Sequence, residues 1–247
     1  MKIDLKQSLA LSKKELKILF GTPTAYVVML FFLTFINFSF IFLSGFFIKD
    51  NASLTSYFSS MPIILMLVLP ALSMGVFSEE HKTGSIELLY ALPLSPQEIV
   101  LGKFITLKIF TLILFSLTLP LTIMTIFMGE FDLGIILLQY LGIILYSLSV
   151  LSMGTFISSI TKSQIVSYII TVFTLILILF SGKLVMIFGK ENIIGEMLNF
   201  ISITNHFSYF NMGILNLSDF IYFITFTITF LILSTHSITL KKMEIKL

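Results

Sequence analysis

Long stretches without charge dominate the chain, and short polar segments separate them. Six intervals lack charged side chains, and they lie between Lys17 and Lys49, Asp50 and Glu79, Lys108 and Glu130, Asp132 and Lys162, Lys162 and Lys183, and Asp219 and Lys241. Each interval is long enough for a membrane-spanning helix, which needs about 20 apolar residues. Barrel strands would be about 10 residues long and would alternate polar with apolar positions, which these stretches do not. The pattern predicts an all-α membrane protein with six transmembrane helices.

The spans are expected in a single membrane domain at 24–247. Their predicted bounds are 24–47, 57–77, 97–128, 133–160, 164–188 and 219–239. Ser218 is predicted to be the N-cap of the last span, because a serine hydroxyl can accept from the first free backbone N–H groups. The connection at 189–218 is apolar enough to pack as a short helix.

The first 23 residues are predicted to form a separate element. Residues 2–20 alternate leucines and isoleucines with lysines at helical intervals, which is typical of an amphipathic helix lying in the headgroup plane. A basic flank that only orients the first span is the alternative, and the two interpretations are compatible. Pro23 ends the element, because proline disfavours a helical conformation at the preceding residue.

Composition and charge agree with a membrane protein and indicate its orientation. Hydrophobic residues make up 57% of the 247 and charged residues 11%, whereas soluble domains carry roughly 25% charged residues. All fifteen basic residues are lysine, and eleven of them fall on one side of the predicted spans. The positive-inside rule then places both termini in the cytoplasm and the chain in the cytoplasmic membrane. The net charge of +2 gives no indication of a nucleic-acid partner.

The sequence lacks the motifs of several enzyme classes. It has no P-loop, because the Gly-Lys pairs at 102–103, 182–183 and 189–190 are followed by Phe, Leu and Glu. It has no cysteine, and its three histidines lie on different segments. The spacing of metal ligands along the chain is therefore missing, and no metal site is predicted. The sequence therefore predicts neither an ATPase nor a metalloenzyme.

Two polar residues lie inside predicted spans. Asn37 falls in the first span and Gln139 in the fourth. Uncharged polar side chains in membranes often form hydrogen bonds between helices, but polar groups at such depth also mark ion pathways. Both interpretations stay open at this point. The interior of the spans, away from their ends, contains no carboxylate of the kind that a proton- or sodium-coupled carrier uses.

A polar segment at 78–95 separates the second and third spans. Thr83-Gly84-Ser85 predicts a turn, because Gly84 tolerates unusual backbone angles. Ser85 is predicted to cap a short helix with Ile86, Leu89 and Tyr90 on one face. The segment is either a simple connection or an element that docks onto a partner.

The third span begins with a recognisable start signal. Ser95 is followed by Pro96 and, three residues later, by Glu98. This spacing matches a capping box with proline at the first helical position. The pattern predicts that the polar segment is a firmly bounded hairpin.

The hairpin sequence resembles the signature of ABC-2-type permeases, the membrane subunits of ATP-binding-cassette exporters. The matching positions are Glu79, Glu80, His81, Lys82, Thr83, Gly84, Ser85, Ile86, Glu87, Leu88, Leu89, Pro93, Ser95, Gly102 and Lys103. Residues 13–28, 158–170 and 205–223 are also similar to segments of that family. Among subfamilies the chain looks closest to the gliding-motility-type permease. It departs from the family at His81, where a lysine or arginine is frequent, which would weaken an ion pair with an ATPase.

The resemblance implies a mechanism and a set of partners. Two permeases, identical or related, would pair in the lipid bilayer, and each would rest on one of two cytoplasmic ATPase subunits. ATP and Mg²⁺ would bind those subunits, so this chain would need no cofactor and catalyse no covalent reaction. The hairpin would be the coupling helix, contacting the ATPase through residues 79–89. The N-terminal helix, with Lys13, Lys14 and Lys17, would touch both lipid and ATPase.

Two other functions are considered. A secondary carrier or channel would need ionisable groups deep in the membrane and would work without an ATPase. A membrane anchor or mechanical transducer would use an ATPase without moving a substrate, and ATP-dependent transport in vesicles would distinguish it from an exporter. The identity of the substrate is beyond what the residues indicate.

Overall fold

The structure is a computed structural model that describes residues 4–43, 54–127, 132–188 and 192–244. These residues are helical apart from short turns, and no strand occurs among them. In chain order the helices are α1 (Leu5–Gly21), α2 (Pro23–Phe38), α3 (Thr55–Ser73), α4 (Gly75–Thr83), α5 (Ile86–Ala91), α6 (Pro96–Ser116), α7 (Leu119–Ile126), α8 (Leu133–Ile160), α9 (Gln164–Phe188), α10 (Ile193–Ile201), α11 (Ile203–Asn211) and α12 (Leu217–Glu244). A π-helical segment, Ser39–Leu43, extends α2.

Six segments of the described chain are long and apolar enough to cross a membrane. They are Pro23–Phe42, Thr55–Thr83, Pro96–Ile126, Leu133–Ile160, Gln164–Val185 and Leu217–Met243. The prediction of an all-α membrane protein with six spans is therefore confirmed. The predicted end of the first span, at 44–47, lies outside the described residues.

The second span is longer than predicted. It was expected to end near Phe77, but α4 follows α3 directly through Met74 and remains helical to Thr83. The Met74 amide donates to the Pro70 carbonyl at 2.8 Å, so the helical hydrogen bonds run through the junction. The charged residues that follow Phe77 therefore lie on the helix that continues the second span.

The third span is interrupted. A single helix was expected over 97–128, but α6 ends at Ser116 and α7 begins at Leu119. Pro120 lies in the first turn of α7. Proline lacks an N–H and its ring clashes with the carbonyl four residues earlier, which explains the break.

The last span begins one residue before the predicted cap. Ser218 lies inside α12, and its amide donates to the side-chain Oδ1 of Asn216 at 3.3 Å. The Asn216 carbonyl also accepts from the Phe220 amide at 3.2 Å. The prediction that Ser218 caps this helix is wrong, because Asn216 occupies the capping geometry that asparagine favours.

Helix α8 lies at the centre of the bundle. It packs against α3, α4, α6, α9, α11 and α12. Its second half buries small residues, including Ser152, Thr155 and Ser158, and small residues let helices approach closely in membranes. A Cβ atom at Gly154 would lie 2.0 Å from Ser73 Oγ and would clash with it. The absence of a side chain at Gly154 therefore allows α3 and α8 to approach closely.

The N-terminal helix packs against the third span. A Cβ atom at Gly102 of α6 would lie 2.9 Å from the Ser8 carbonyl oxygen of α1. Thr106 Oγ1 donates to Ser12 Oγ at 3.2 Å across the same contact. Leu5 and Leu9 remain exposed on the other face. The helix thus has a small-residue face against protein and a leucine face, and its position at a lipid interface stays a prediction.

The connection before the last span contains two short helices where one was expected. Helices α10 and α11 meet at Ser202, whose side chain accepts from the Asn205 amide and so caps α11. The two helices cover the end of the bundle opposite the polar hairpin.

Candidate functional site: the hairpin between the second and third spans

The hairpin comprises α4, a tight turn, α5 and the four residues that lead into α6. It therefore spans residues 75–95 and begins three residues before the predicted segment 78–95. Gly84 has a φ of 74°, in the left-handed region that glycine enters without steric cost. The turn therefore lies at the residues that the sequence indicated. The hydroxyls of Thr83 and Ser85 are 2.8 Å apart and share a hydrogen bond.

Ser85 does not cap the short helix. It stands at the N-cap position of α5, but its backbone is α-helical and its side chain makes no capping hydrogen bond. The hydroxyl is instead engaged with Thr83. The predicted cap is wrong, because a cap side chain needs an extended backbone to reach back to the helix amides.

One face of α5 is buried. Ile86, Leu89 and Tyr90 pack in a small apolar cluster with Phe77, Ile99, Val100 and Ile238. This is the face that the sequence pattern predicted. Burial, with a smaller contribution from the charge of Glu80, raises the pKa of Tyr90 to about 12. The phenol is therefore uncharged at neutral pH, and α5 is held on the bundle by apolar contact.

The eleven predicted contact residues fall into two groups that differ in their exposure to solvent. Leu88 is 74% exposed at the tip of the hairpin. The exposed group is Glu79, Lys82, Thr83, Gly84, Glu87 and Leu88. The buried or half-buried group is Glu80, His81, Ser85, Ile86 and Leu89. Only the first group is available to a partner in this conformation.

Lys103 connects three helices at the base of the hairpin. Its ammonium donates to Glu80 Oε1 at 2.8 Å and to the Val76 carbonyl at 2.8 Å. Glu15 Oε1 of α1 lies 3.8 Å from the same nitrogen. The Lys103 side chain is only 4% exposed, and a buried charge requires such pairing. Glu80 thus faces the protein interior.

His81 also faces the bundle. Lys241 of α12 donates to the Ser159 carbonyl at 2.7 Å, and its nitrogen lies 3.2 Å from His81 Nε2. His81 Nε2 also lies 3.2 Å from the Ser159 carbonyl oxygen, so the imidazole is held between a carbonyl group and an ammonium group. A lysine at position 81 would bring two positive charges together here. The local surroundings explain why this chain has a histidine where the family often has a basic residue.

The start of α6 has the predicted capping box. The Glu98 amide donates to Ser95 Oγ at 3.3 Å, and the Ser95 amide donates to Glu98 Oε2 at 2.7 Å. Pro96 occupies the first turn. The other carboxylate oxygen, Glu98 Oε1, accepts from the Asp4 amide at 2.9 Å. One side chain therefore closes the hairpin and also holds the start of α1.

Two further tethers bind α4 and the hairpin's end to the bundle. The Phe77 and Ser78 amides donate to Ser158 Oγ of α8 at 3.0 and 3.1 Å. Lys242 Nζ of α12 donates to the Leu94 carbonyl at 2.9 Å. Displacement of the hairpin would therefore act directly on α6, α8 and α12.

The two intramembrane amides have different surroundings. Gln139 Nε2 donates to the Asn211 carbonyl at 2.9 Å, which supports the interpretation as a hydrogen bond between helices. Asn37 Oδ1 is buried and has no hydrogen-bond partner among the described residues. Among the described residues, no hydrogen bond joins these two side chains.

The comparison with protein families identifies the group to which this fold and hairpin belong. A family model described as an ABC-2 family transporter protein matches residues 35–241. The match includes the hairpin, the second to fifth spans, the second part of the first span and all but the last two residues of the sixth. The chain belongs to the ABC-2 transporter family. As an ABC-2 permease it is a membrane subunit of an ABC transporter, and the family implies a partner ATPase. A comparison with curated proteins gave no match.

Sequence reasoning missed the residues that hold the hairpin in place. Lys103 entered only as an orientation charge and as a family match, although a lysine near the start of an apolar helix was a signal that it needs a partner. Lys241 and Lys242 were counted only as orientation charges. In the described chain, no group of three His, Cys, Asp or Glu side chains is arranged to hold a metal ion.

Proposed function

We propose that this ABC-2 permease is the membrane subunit of an exporter in the cytoplasmic membrane, with both termini in the cytoplasm. It would pair with a second permease, identical or related, and bind two copies of a separate ATPase subunit that holds ATP and Mg²⁺. The permease itself would carry out no covalent chemistry. The gliding-motility-type subfamily is the proposed subgroup, on the resemblance of the hairpin and its flanking segments.

The observation that carries the proposal is the contrast between the two sides of the hairpin. Its inner side is fixed by the Lys103 cluster and by the apolar face of α5. Its outer side presents Leu88, 74% exposed, next to Glu87 and four residues before the exposed Leu92. An exposed apolar side chain on a well-supported helix gains free energy when a partner's surface removes it from water. We infer that Leu88 is the centre of the ATPase contact.

The tethers of the hairpin support a direct mechanical coupling. When ATP draws the two ATPase subunits together, the hairpins would be displaced with them. Because α4 continues the second span and Ser95 caps the third, the displacement would pass into both spans. Ser158 and Lys242 would pass it on to the fourth and sixth. The spans would then move between inward-facing and outward-facing arrangements.

The contact is tested with Leu88→Asp in the complete permease, co-purified with its partner ATPase. Loss of an anchor at the centre of an interface costs about 2 kcal/mol or more, which is roughly a 30-fold loss of affinity. We expect the ATPase to be lost from the complex while the permease remains in the membrane. Retention of the ATPase at wild-type stoichiometry would contradict this role.

Leu215→Asp is the matched control. Leu215 is also an exposed leucine, at 61%, and it precedes α12 at the other end of the bundle. We expect this variant to retain the ATPase. Equal loss in both variants would mean that an added charge harms the permease in general.

A further inference from the structure

A cavity of about 590 Å³ lies at the end of the bundle opposite the hairpin. Helix α12 runs from this cavity to Lys241, which contacts the helix end beside the hairpin. The polar and aromatic lining that matters here comprises Glu196, Asn199, Phe200, Asn205, His206 and Asp219. The coupling mechanism uses none of these residues.

Two of the lining residues, His206 and Asp219, form a hydrogen-bonded pair. His206 Nδ1 is 2.5 Å from Asp219 Oδ1, and His206 Nε2 is 3.0 Å from the Phe200 carbonyl oxygen. The Tyr222 ring stacks on the imidazole with ring centroids 3.9 Å apart. Tyr222 is itself fixed by a hydrogen bond from its hydroxyl to the Ile201 carbonyl. The imidazole therefore has one orientation.

The hydrogen-bond partners of His206 determine the total charge of the His206–Asp219 pair. A carbonyl oxygen only accepts, so His206 Nε2 must carry a hydrogen. A further hydrogen lies between Nδ1 and Asp219 Oδ1, whichever of the two atoms holds it. In both forms the pair as a whole is neutral.

The other oxygen of the carboxyl group has no partner. Asp219 is 2% exposed, and its Oδ2 makes no hydrogen bond among the described residues. A buried acceptor without a donor destabilises the fold, because it has lost its hydrogen bonds to water. A ligand that supplies an N–H donor to Oδ2 would relieve this destabilisation.

The charge of the lining comes from a different residue. With the His206–Asp219 pair neutral, Glu196 is the one lining side chain of the cavity, as the described residues define it, that leaves a net charge. Glu196 is exposed on α10 and can meet a ligand from solvent. Phe200 and Tyr209 add aromatic faces, which attract cations. The described residues offer no three-ligand metal site, so an inorganic ion fits less well than an organic one.

We propose that this cavity is a binding site for an organic ammonium ion. The ammonium group donates a hydrogen bond to Asp219 Oδ2 after a small side-chain adjustment, and Glu196 balances its charge. Phe200 and Tyr209 pack against the apolar part of the ligand. The site is independent of the ATPase and of transport, so it can be measured on the permease alone.

The test is calorimetric titration of the purified permease in nanodiscs with phenethylammonium. Its neutral counterpart, 2-phenylethanol, and its anionic counterpart, phenylacetate, are titrated in parallel. We expect saturable binding of the ammonium alone. Asp219→Leu should weaken that binding about tenfold or more, because it removes the carboxyl oxygens that accept from the ammonium, and Glu196→Gln should weaken it about threefold. Ser218→Ala, an exposed neighbour outside the lining, should bind as the wild type does.

Several outcomes overturn the proposal. They are equal binding of all three probes, no binding of the ammonium, or wild-type affinity in both acidic variants. Binding of Mg²⁺ in place of the ammonium, lost in the same variants, would show that the ligand class is wrong. If Asp219→Leu fails to fold, Glu196→Gln decides, because the Glu196 side chain is exposed and makes no hydrogen bond or ion pair with the residues that the structure describes.

Discussion

Lys103 is the residue on which the position of the hairpin depends most. It is a buried cation on α6 that neutralises Glu80 of α4 and approaches Glu15 of α1. The Phe77 ring lies 5.2 Å from the ammonium and adds a favourable cation–π contact. Removing one member of a buried pair leaves an uncompensated charge, which costs more than the pair contributes.

This asymmetry gives a prediction at the residue scale. Lys103→Met and Glu80→Met should each destabilise the permease by about 3 kcal/mol, because each strands the other charge. The double variant should lose less than the sum, with a coupling of about 1–3 kcal/mol. Thermal unfolding of the four proteins in one detergent measures the cycle. Additive losses would contradict the pairing.

At the scale of the element, the shape of the hairpin depends on the turn at Gly84 and on the capping box at its end. Gly84 supplies a left-handed turn that other residues enter at a cost. Glu98 closes the capping box and at the same time accepts from the Asp4 amide. The same carboxylate therefore joins the start of α6 to the start of α1.

Two variants separate these roles of the cap. Ser95→Ala should cost about 1 kcal/mol, the usual loss of an N-cap, and should leave the contact with Asp4 intact. Glu98→Ala removes both hydrogen bonds and should also release the start of α1. Hydrogen exchange of the residue 4–9 amides measures the release. Faster exchange in Ser95→Ala than in Glu98→Ala would contradict this assignment.

At the scale of the whole molecule, the hairpin marks one end of the six spans. The two short helices α10 and α11 mark the other end. The proposed orientation exposes the hairpin to the cytoplasm. The chain has no cysteine, so a single introduced thiol reports the side on which it lies. Glu87 and Leu215 are exposed at opposite ends.

Labelling of intact cells with an impermeant maleimide tests this orientation. We expect Leu215→Cys to react from outside, because it would face away from the cytoplasm. Glu87→Cys should react only after the cells are made permeable. The reverse pattern would overturn the positive-inside assignment.

The number and class of the spans followed from the sequence, because uncharged stretches near 20 residues have few alternatives. The capping box was equally readable, since it depends on local residues alone. The break at Pro120 and the continuation of α4 past Phe77 were missed, because hydropathy does not report helix ends. The partners of Lys103 and His81 were also missed, because they depend on which distant helices pack together. The division of the hairpin into inner and outer residues follows from that packing.

The central claim is that the hairpin transmits the work of an ATPase to this permease. The most direct measurement is the ATP hydrolysis rate of the ATPase reconstituted in vesicles with wild-type permease, with Leu88→Asp, or with the Leu215→Asp control. We predict stimulation by the wild type and the control, and the unstimulated rate with Leu88→Asp. Full stimulation by correctly inserted Leu88→Asp permease would contradict the account.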